Sequence, residues 1–191
     1  MNAIYPIVFT LEQGVESIGE NAFYNCSSLS EIVIPDSVTE IGDRAFSDCS
    51  ALKKLTLGSG VKSLGESTFY GVSLDELHVD KIETWLNITF TDSDDNPIED
   101  VDGFYVGGEL LTELVIPEGI NSISAYAFYK YEGITSVIFS DSIVLIDKSA
   151  FYKVEPENVY FTGYAEEWSF IDIHGGNDGI TDATVYCEYS E

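Results

Sequence analysis

Basic residues are scarce in this chain. Eight Lys and Arg stand against 34 Asp and Glu over 191 residues, a formal net charge of −26. Nucleic-acid binding needs clustered cations that displace counterions from phosphates. Here the bases are scattered singly, apart from Lys53 and Lys54. That weighs against nucleic acid as a partner and against adhesion to an anionic membrane surface. The acid excess fits solubility and self-repulsion in an exposed protein. Long apolar runs are also lacking: no stretch approaches the roughly 18 residues of a membrane-spanning helix, so no membrane insertion is expected. The first ten residues have no basic segment and no small-residue cleavage site, so they do not read as a signal peptide. Ile7-Val8-Phe9 precedes Val15 much as Ile32-Val33-Ile34 precedes Val38. The start therefore reads as a repeat entered midway, and the chain is expected to be a piece of a longer one.

The residues of catalysis and metal binding are equally sparse. There are three cysteines and two histidines. There is no Cys-x-x-Cys pair and no His partner at ligand spacing, so zinc is not expected. A Gly-x-Ser-x-Gly elbow, a phosphate loop followed by Lys, and His-Glu-x-x-His are all missing. No catalytic residue and no cofactor is expected. His78 has Glu76 two residues away on the same strand face, a pair that could act as a base, but no nucleophile accompanies it in the sequence. His174, in a turn rich in Gly and Asp, is expected to face solvent.

What the chain does have is a repeat. Val15 to Leu29 returns as Val38 to Leu52, 23 residues later, and again from Val61. A period of 20–50 residues signals a solenoid whose units are stable only when stacked. With 45% hydrophobic and 13% aromatic residues there is material for a continuous core, and disorder is not expected. Each unit opens with a strand, as in Leu29-x-x-Ile32-x-Ile34, Leu52-x-x-Leu55-x-Leu57 and Leu74-x-x-Leu77-x-Val79, alternating with period two. Pro35 and Pro117 close two of these strands. A shorter extended piece follows, Val38-x-x-Ile41-Gly42, where the recurring Gly19, Gly42 and Gly65 suggest a bend with unusual backbone angles. Then comes a single helical or 3-10 turn around Ala45-Phe46. Phe23, Phe46, Phe69, Phe128 and Phe151 are expected to form a stacked spine. Cys26 and Cys49 fall one period apart. They read as buried thiols acting as small hydrophobes, with a bridge between adjacent coils geometrically conceivable.

A longer period lies above the first. Shifting the register by 82 maps Leu29 to Leu111, Ile34-Pro35 to Ile116-Pro117, Phe46 to Phe128 and Phe69-Tyr70 to Phe151-Tyr152. The sequence thus divides into coils at about 15–81 and 110–163, with Trp-bearing inserts at about 82–109 and 164–191, within one expected solenoid over 1–191. Each insert reads as a degenerate coil with a surface loop. In the second half Ser124 and Asp147 take the glycine positions, so coil geometry there is harder to foresee.

Across Ile34 to Leu52 the pattern Ile-Pro-x-x-Val-x-x-Ile-Gly-x-x-Ala-Phe-x-x-Cys-x-x-Leu resembles the BspA-like leucine-rich repeats of bacterial surface proteins. The resemblance covers nearly the whole chain, including the two inserts. It implies a right-handed leucine-rich-repeat solenoid with a parallel β-sheet, short second strands and short helical or 3-10 turns. It implies an extracellular or cell-surface setting and a role in adhesion or protein binding, to host matrix or another surface protein. It brings no catalytic residue.

Three sets of residues stand out as candidate sites. Outward positions on the strands form columns, one running Glu31, Lys54, Glu76, Glu113, Ser136, Asn158 and the next Val33, Thr56, His78, Val115, Ile138, Tyr160. In the second half the latter is apolar, and Val115, Ile138, Tyr160 and His78 are candidates for a partner site, although strand propensity alone favours such residues. Asp92, Asp94 and Asp95, with Glu99, Asp100 and Asp102 following and Asn177-Asp178 in the second loop, offer oxygen ligands for weak Ca²⁺ binding, though outside the EF-hand register. Trp85 and Trp168 are expected to pack against coil ends, with stacking on a sugar as the alternative. Three functions follow: a non-catalytic binding or adhesion module for a protein ligand, a structural spacer displaying other domains, or a carbohydrate-binding surface.

Overall fold

A computed structural model describes residues 6–90, 92–99 and 101–189, and contacts divide the chain into two compact units, Met1–Leu110 and Leu111–Glu191. In the first unit the elements run β1 (Ile7–Thr10), β2 (Ser17–Ile18), β3 (Leu29–Val33), β4 (Glu40–Ile41), β5 (Lys54–Leu57), β6 (Ser63–Leu64), β7 (Glu76–Val79), α1 (Ile82–Leu86), a 3-10 turn (Ser93–Asp95), β8 (Gly103–Val106) and β9 (Glu109–Leu110). In the second they run β10 (Glu113–Val115), β11 (Ser122–Ile123), β12 (Ser136–Phe139), β13 (Leu145–Ile146), β14 (Asn158–Tyr164), α2 (Ala165–Trp168), β15 (Asp172–Ile173), α3 (Asp178–Thr181) and β16 (Val185–Tyr189). Each unit is a parallel-sheet β-solenoid with few short helices.

The strands repeat as the period dictates. The first unit has a sheet β1-β3-β5-β7-β8-β9 and a narrow second sheet β2-β4-β6; the second has β10-β12-β14-β16 and β11-β13-β15. Pairing is parallel and in register, Ile32 with Leu55 with Leu77 and Leu114 with Val137 with Val159. These residues are completely buried, while Val33, Thr56 and His78 between them are half-buried. The exception is β9, which turns back antiparallel to β8 through Gly107-Gly108, with φ of 60° and 88°. Left-handed angles at both central residues are what a two-residue hairpin requires.

The expected phenylalanine spine is present within each unit. Phe23 stacks on Phe46 at 5.1 Å and Phe46 on Phe69 at 5.4 Å; Phe128 stacks on Phe151 at 5.3 Å. Beside it run turns that the sequence did not reveal. Asn21, Asn25, Arg44, Asp48, Ser67 and Gly71, and in the second unit Tyr126, Lys130, Ser149 and Lys153, all adopt φ between 52° and 72°. For a residue with a Cβ this costs about 1 kcal/mol or more. The compensation is a ladder between coils: the amides of Arg44, Phe46 and Asp48 donate to the carbonyls of Glu66, Thr68 and Tyr70 at 3.0, 3.0 and 2.8 Å.

The recurring glycines play a different part from the one expected. Gly19, Gly42 and Gly65 do not have positive φ. Their role is clearance: a Cβ on Gly42 would lie 2.7 Å from the Glu20 amide nitrogen, and one on Gly65 would meet the Asp43 backbone. At Gly19 nothing among the described residues lies within 4 Å of that position. At Asp147, which lacks this glycine, the ladder nevertheless holds, its amide donating to the Ile123 carbonyl at 3.0 Å.

The inserts are longer coils. β8 pairs with β7, Glu76 opposite Gly103, and β16 pairs with β14, Val159 opposite Val185. Where the extra length displaces the turn carbonyl, a buried side-chain oxygen replaces it. The Ser67 amide donates to Asp95 Oδ1 at 2.7 Å, and the Phe151 amide donates to Asn177 Oδ1 at 2.8 Å. Asp95 and Asn177 are 0% and 1% exposed. Among the described residues no buried side-chain oxygen or nitrogen lacks a partner, as a stable interior demands.

Candidate functional site: two sheet faces

In the first unit the outward face is polar and cross-linked. Glu76 sits between Lys54 and His78 on neighbouring positions: its Oε2 lies 2.9 Å from Lys54 Nζ and 2.9 Å from His78 Nε2. The hydrogen bond from His78, and then that from Lys54, hold its carboxyl below the usual range, while Glu76 holds the Lys54 ammonium above its own. His78 stacks face to face on Tyr105, ring centroids 4.7 Å apart and planes at 10°. The Tyr105 ring also leaves no room for a side chain at Gly103, where a Cβ would stand 2.7 Å from it. Beside this row lies a shallow groove of about 350 Å³, lined among others by Val33, Pro35, Thr56, His78, Gly107 and Gly108. The partners seen for His78 are thus a carboxylate and a ring.

In the second unit the same column is apolar and more open. Val115, Ile138, Tyr160 and Tyr186 occupy aligned positions on β10, β12, β14 and β16. Val115 is 47% exposed, Tyr160 39% and Tyr186 51%. Tyr160 and Tyr186 lie 5.5 Å apart with planes at 32°. Their inward neighbours Leu114, Val137 and Val159 are completely buried, so the outward chains stand on a rigid floor. The structure therefore brings Val115, Ile138 and Tyr160 together, as the sequence indicated, and places His78 in the first unit beside Tyr105. Tyr105 and Tyr186 extend the two columns and were not read from the sequence, because they lie inside the irregular inserts. The alternation Gly103-Phe-Tyr-Val106, with Phe104 completely buried, is the signal that could have revealed the first.

The Asp-rich loop is organised around hydrogen bonds to its own chain. Asp95 Oδ1 accepts from the Ser67 amide and Oδ2 accepts from the Asp92 amide at 3.0 Å. Asp92 Oδ1 accepts from the Asp94 amide at 3.3 Å and from Ser93 Oγ at 3.2 Å. Asp94 has its carboxyl pushed up by burial first and by Asp92, Glu99 and Asp95 next. Among the described residues no group of three or more His, Cys, Asp or Glu is arranged to hold a metal ion, and the Ca²⁺ reading of Asp92, Asp94 and Asp95 gains no support. Asp100, part of the same acidic stretch, lies outside the described residues.

The tryptophans differ. Trp85 is 0% exposed and packs on Phe90 at 5.1 Å and Phe104 at 5.0 Å, so its ring offers no face to a sugar. Trp168 is half-buried against Phe139 and Phe161 at 5.4 and 5.5 Å. Cys26, Cys49 and Cys187 are free thiols, and the conceivable bridge between adjacent coils is not formed. Cys49 instead donates to the Phe23 carbonyl at 3.0 Å, and burial pushes its thiol up to about 11. His174 does face solvent, but it is clamped: Nδ1 lies 2.7 Å from Asp147 Oδ1 and Nε2 3.3 Å from Asp172 Oδ2. Among the described residues no helix is long and apolar enough to cross a membrane.

A sequence profile described as BspA type leucine rich repeat region matches six copies over residues 7–96 and 102–171. Solved structures with similar coordinates include a leucine-rich repeat protein from Eubacterium ventriosum, 17% identical, with 94% of this chain and 60% of that one covered and a TM-score of 0.45. A leucine-rich repeat protein from Bacteroides ovatus is 24% identical over 89% of this chain and 52% of that one, TM-score 0.46. A leucine rich cell surface protein from Faecalibacterium prausnitzii is 25% identical over 90% and 36%, TM-score 0.39. The chain thus spans between 36% and 60% of these three structures. No curated protein sequence matches it.

Proposed function

The chain belongs to the BspA-type leucine-rich repeat family, and on that premise we propose that it is a non-catalytic protein-binding module whose ligand docks on the outward sheet face of the second unit. The observation that carries this reading is the column Val115, Ile138, Tyr160 and Tyr186. It is an apolar and aromatic row on the sheet, with Val115, Tyr160 and Tyr186 exposed and Ile138 half-buried, in a chain with a net charge of −26. Contiguous exposed apolar surface on an otherwise polar protein marks interaction sites, and tyrosine is enriched in them. An extracellular or cell-surface setting, and adhesion to a host-matrix or surface protein, belong to the same proposal and follow what the family resemblance implies.

The test is a panel of purified extracellular-matrix and surface proteins presented to the chain. A ligand from that panel should bind the variant Val115→Ser/Ile138→Ser/Tyr160→Ser at least about ten-fold more weakly, as expected for losing central interface contacts. Equal affinity would remove this face from consideration, and silence across the panel would favour a spacer.

A further inference from the structure

Tyr24, Ser47 and Tyr70 hold one position on three successive coils, each directly after a phenylalanine of the spine. The backbone fixes their register. The Asn25 amide donates to the Ser47 carbonyl at 2.9 Å, and the Asp48 amide donates to the Tyr70 carbonyl at 2.8 Å. Coils repeat about 5 Å apart, so the two tyrosine positions lie about 10 Å apart with a serine between them. Tyr24 and Tyr70 are 50% and 54% exposed, and Ser47 is 3% exposed. These three, with Arg44, Asp48 and Asp94, line a recess of about 280 Å³. The second unit shows what the serine changes. There Tyr129 stands where the first unit has Ser47, and its ring stacks on Tyr152 at 5.1 Å and 15°. Where that unit has a continuous stack, the first has a gap. Arg44 at this gap is the chain's one arginine, is exposed, and among the described residues has no carboxylate paired to it. Asp48 Oδ1 reaches to the third coil, where a Cβ on Gly71 would stand 3.0 Å from it.

We propose that this recess binds a single uncharged pyranose, such as the terminal residue of a glycan. Three arguments lead there. The first is size. Ligand pockets run from about 300 to 1,000 Å³, so a recess at the bottom of that range takes one ring rather than a chain. The second is width. Carbon–carbon contact at about 3.5–4.0 Å means that a flat ring held between two tyrosines needs only about 7 Å. A separation of about 10 Å suits a puckered saturated ring, whose C–H groups pack on aromatic surface. The third is the polar lining. Arg44 brings five N–H donors, while Asp48 and Asp94 bring only acceptors. An anionic ring would leave the carboxylates without donors, and a cationic one would leave the guanidinium without acceptors. Neutral hydroxyls are both donor and acceptor, so a sugar serves both sets. The site lies on turns of the first unit, uses neither tryptophan and shares no residue with the sheet-face column. It is independent of the protein-binding reading.

Chemical-shift titration of the isotopically labelled 191-residue chain tests it. The probes are the methyl glycosides of glucose, galactose, mannose and N-acetylglucosamine. The controls are glucuronate, glucosamine and N-acetyltyrosinamide, which stand for an anionic sugar, a cationic sugar and the flat ring of a peptide side chain. At least one neutral glycoside should bind and shift Tyr24, Arg44, Ser47 and Tyr70. All three controls should bind at least about ten-fold more weakly, the loss expected from one unmet charged hydrogen bond. Added NaCl should leave the affinity unchanged, since the ligand carries no charge to screen. Ser47→Tyr, which gives the first unit the residue of the second, should close the gap and abolish binding. Arg44→Gln, on an exposed turn, should weaken binding about ten-fold while thermal unfolding stays unchanged. Tyr160→Ser should leave saccharide binding intact. The proposal is overturned if no neutral glycoside binds, if a control binds as tightly, or if folded Arg44→Gln binds as the parent does.

Discussion

At the scale of single residues, glycine carries the sharpest lesson. Gly19, Gly42 and Gly65 recur at one point of the repeat, and a recurrent glycine has two physical meanings: freedom of φ or absence of a Cβ. The residue type alone does not separate them, and the bend inferred from the sequence is instead clearance for the neighbouring coil. The left-handed positions of the turns carry Asn, Arg, Asp, Ser, Tyr and Lys and only once Gly, at Gly71, so no composition signal marked them. The distinction is measurable. Gly42→Ala places a methyl 2.7 Å from the Glu20 amide nitrogen and should destabilise by about 1–3 kcal/mol, the cost of overpacking. Gly19→Ala meets nothing and should be neutral or stabilising by up to about 1 kcal/mol through the unfolded chain. Denaturant unfolding should therefore show a loss of stability for Gly42→Ala and none for Gly19→Ala, and equal losses would show that backbone angle is the cause.

His174 shows what a sequence window sees only in part: Asp172 stands two residues away, but Asp147 is brought to it by coil stacking. The hydrogen bond to Asp147 first, and the charge of Asp172, raise the imidazole above its ordinary 6.5. The Lys148 amide first, then His174, lower Asp147 below its ordinary 3.8. A raised histidine contributes stability fully below pH 6.5 and loses it as pH rises through its folded value. A lowered carboxylate contributes above 3.8 and loses it as pH falls through its folded value. Both contributions coexist between those limits. NMR titration of His174 should give a midpoint above 6.5 that moves down in Asp147→Asn; a midpoint at or below 6.5 in the parent would contradict the clamp.

At the scale of elements, period-two alternation made the main strands legible. Leu29–Val33, Lys54–Leu57 and Glu76–Val79 all lie where their buried residues require. The Phe spine was legible for the same reason: one residue type at one period. The inserts were not, because their strands β8 and β16 arrive late and the intervening loops break the register. The polar plug that makes a long coil possible was hidden among other acids. Asp95 looked like one of a set of candidate Ca²⁺ ligands, and only the fold shows that it stands in for a backbone carbonyl. Asp95→Leu and Asn177→Leu should each leave a buried amide without its acceptor and destabilise by about 2–4 kcal/mol. Asp94→Leu, outside the ladder through its side chain, should cost much less. Chemical denaturation checks the contrast; a similar loss at Asp94 would mean that the loop's acids act together.

At the scale of the whole molecule, the 23-residue coil sits inside a longer unit that occurs twice, and the two copies have diverged on their outward faces. Val33, Thr56, His78 and Tyr105 in the first correspond to Val115, Ile138, Tyr160 and Tyr186 in the second. One row is half-buried with Lys54, Glu76 and His78 locked together; the other is open and apolar. The inward residues of both sets are alike, since the same core must be filled. Divergence where packing imposes no constraint is the expected place for specificity, and the proposed ligand site lies on the second of the two faces. The most direct test is chemical-shift mapping of the isotopically labelled chain, titrated with the protein ligand found in the panel. The account predicts that the largest perturbations fall on Val115, Ile138, Tyr160 and Tyr186. Perturbations confined to the turns around Asn25, Asp48 or Lys130, or to the first unit's face, would contradict it.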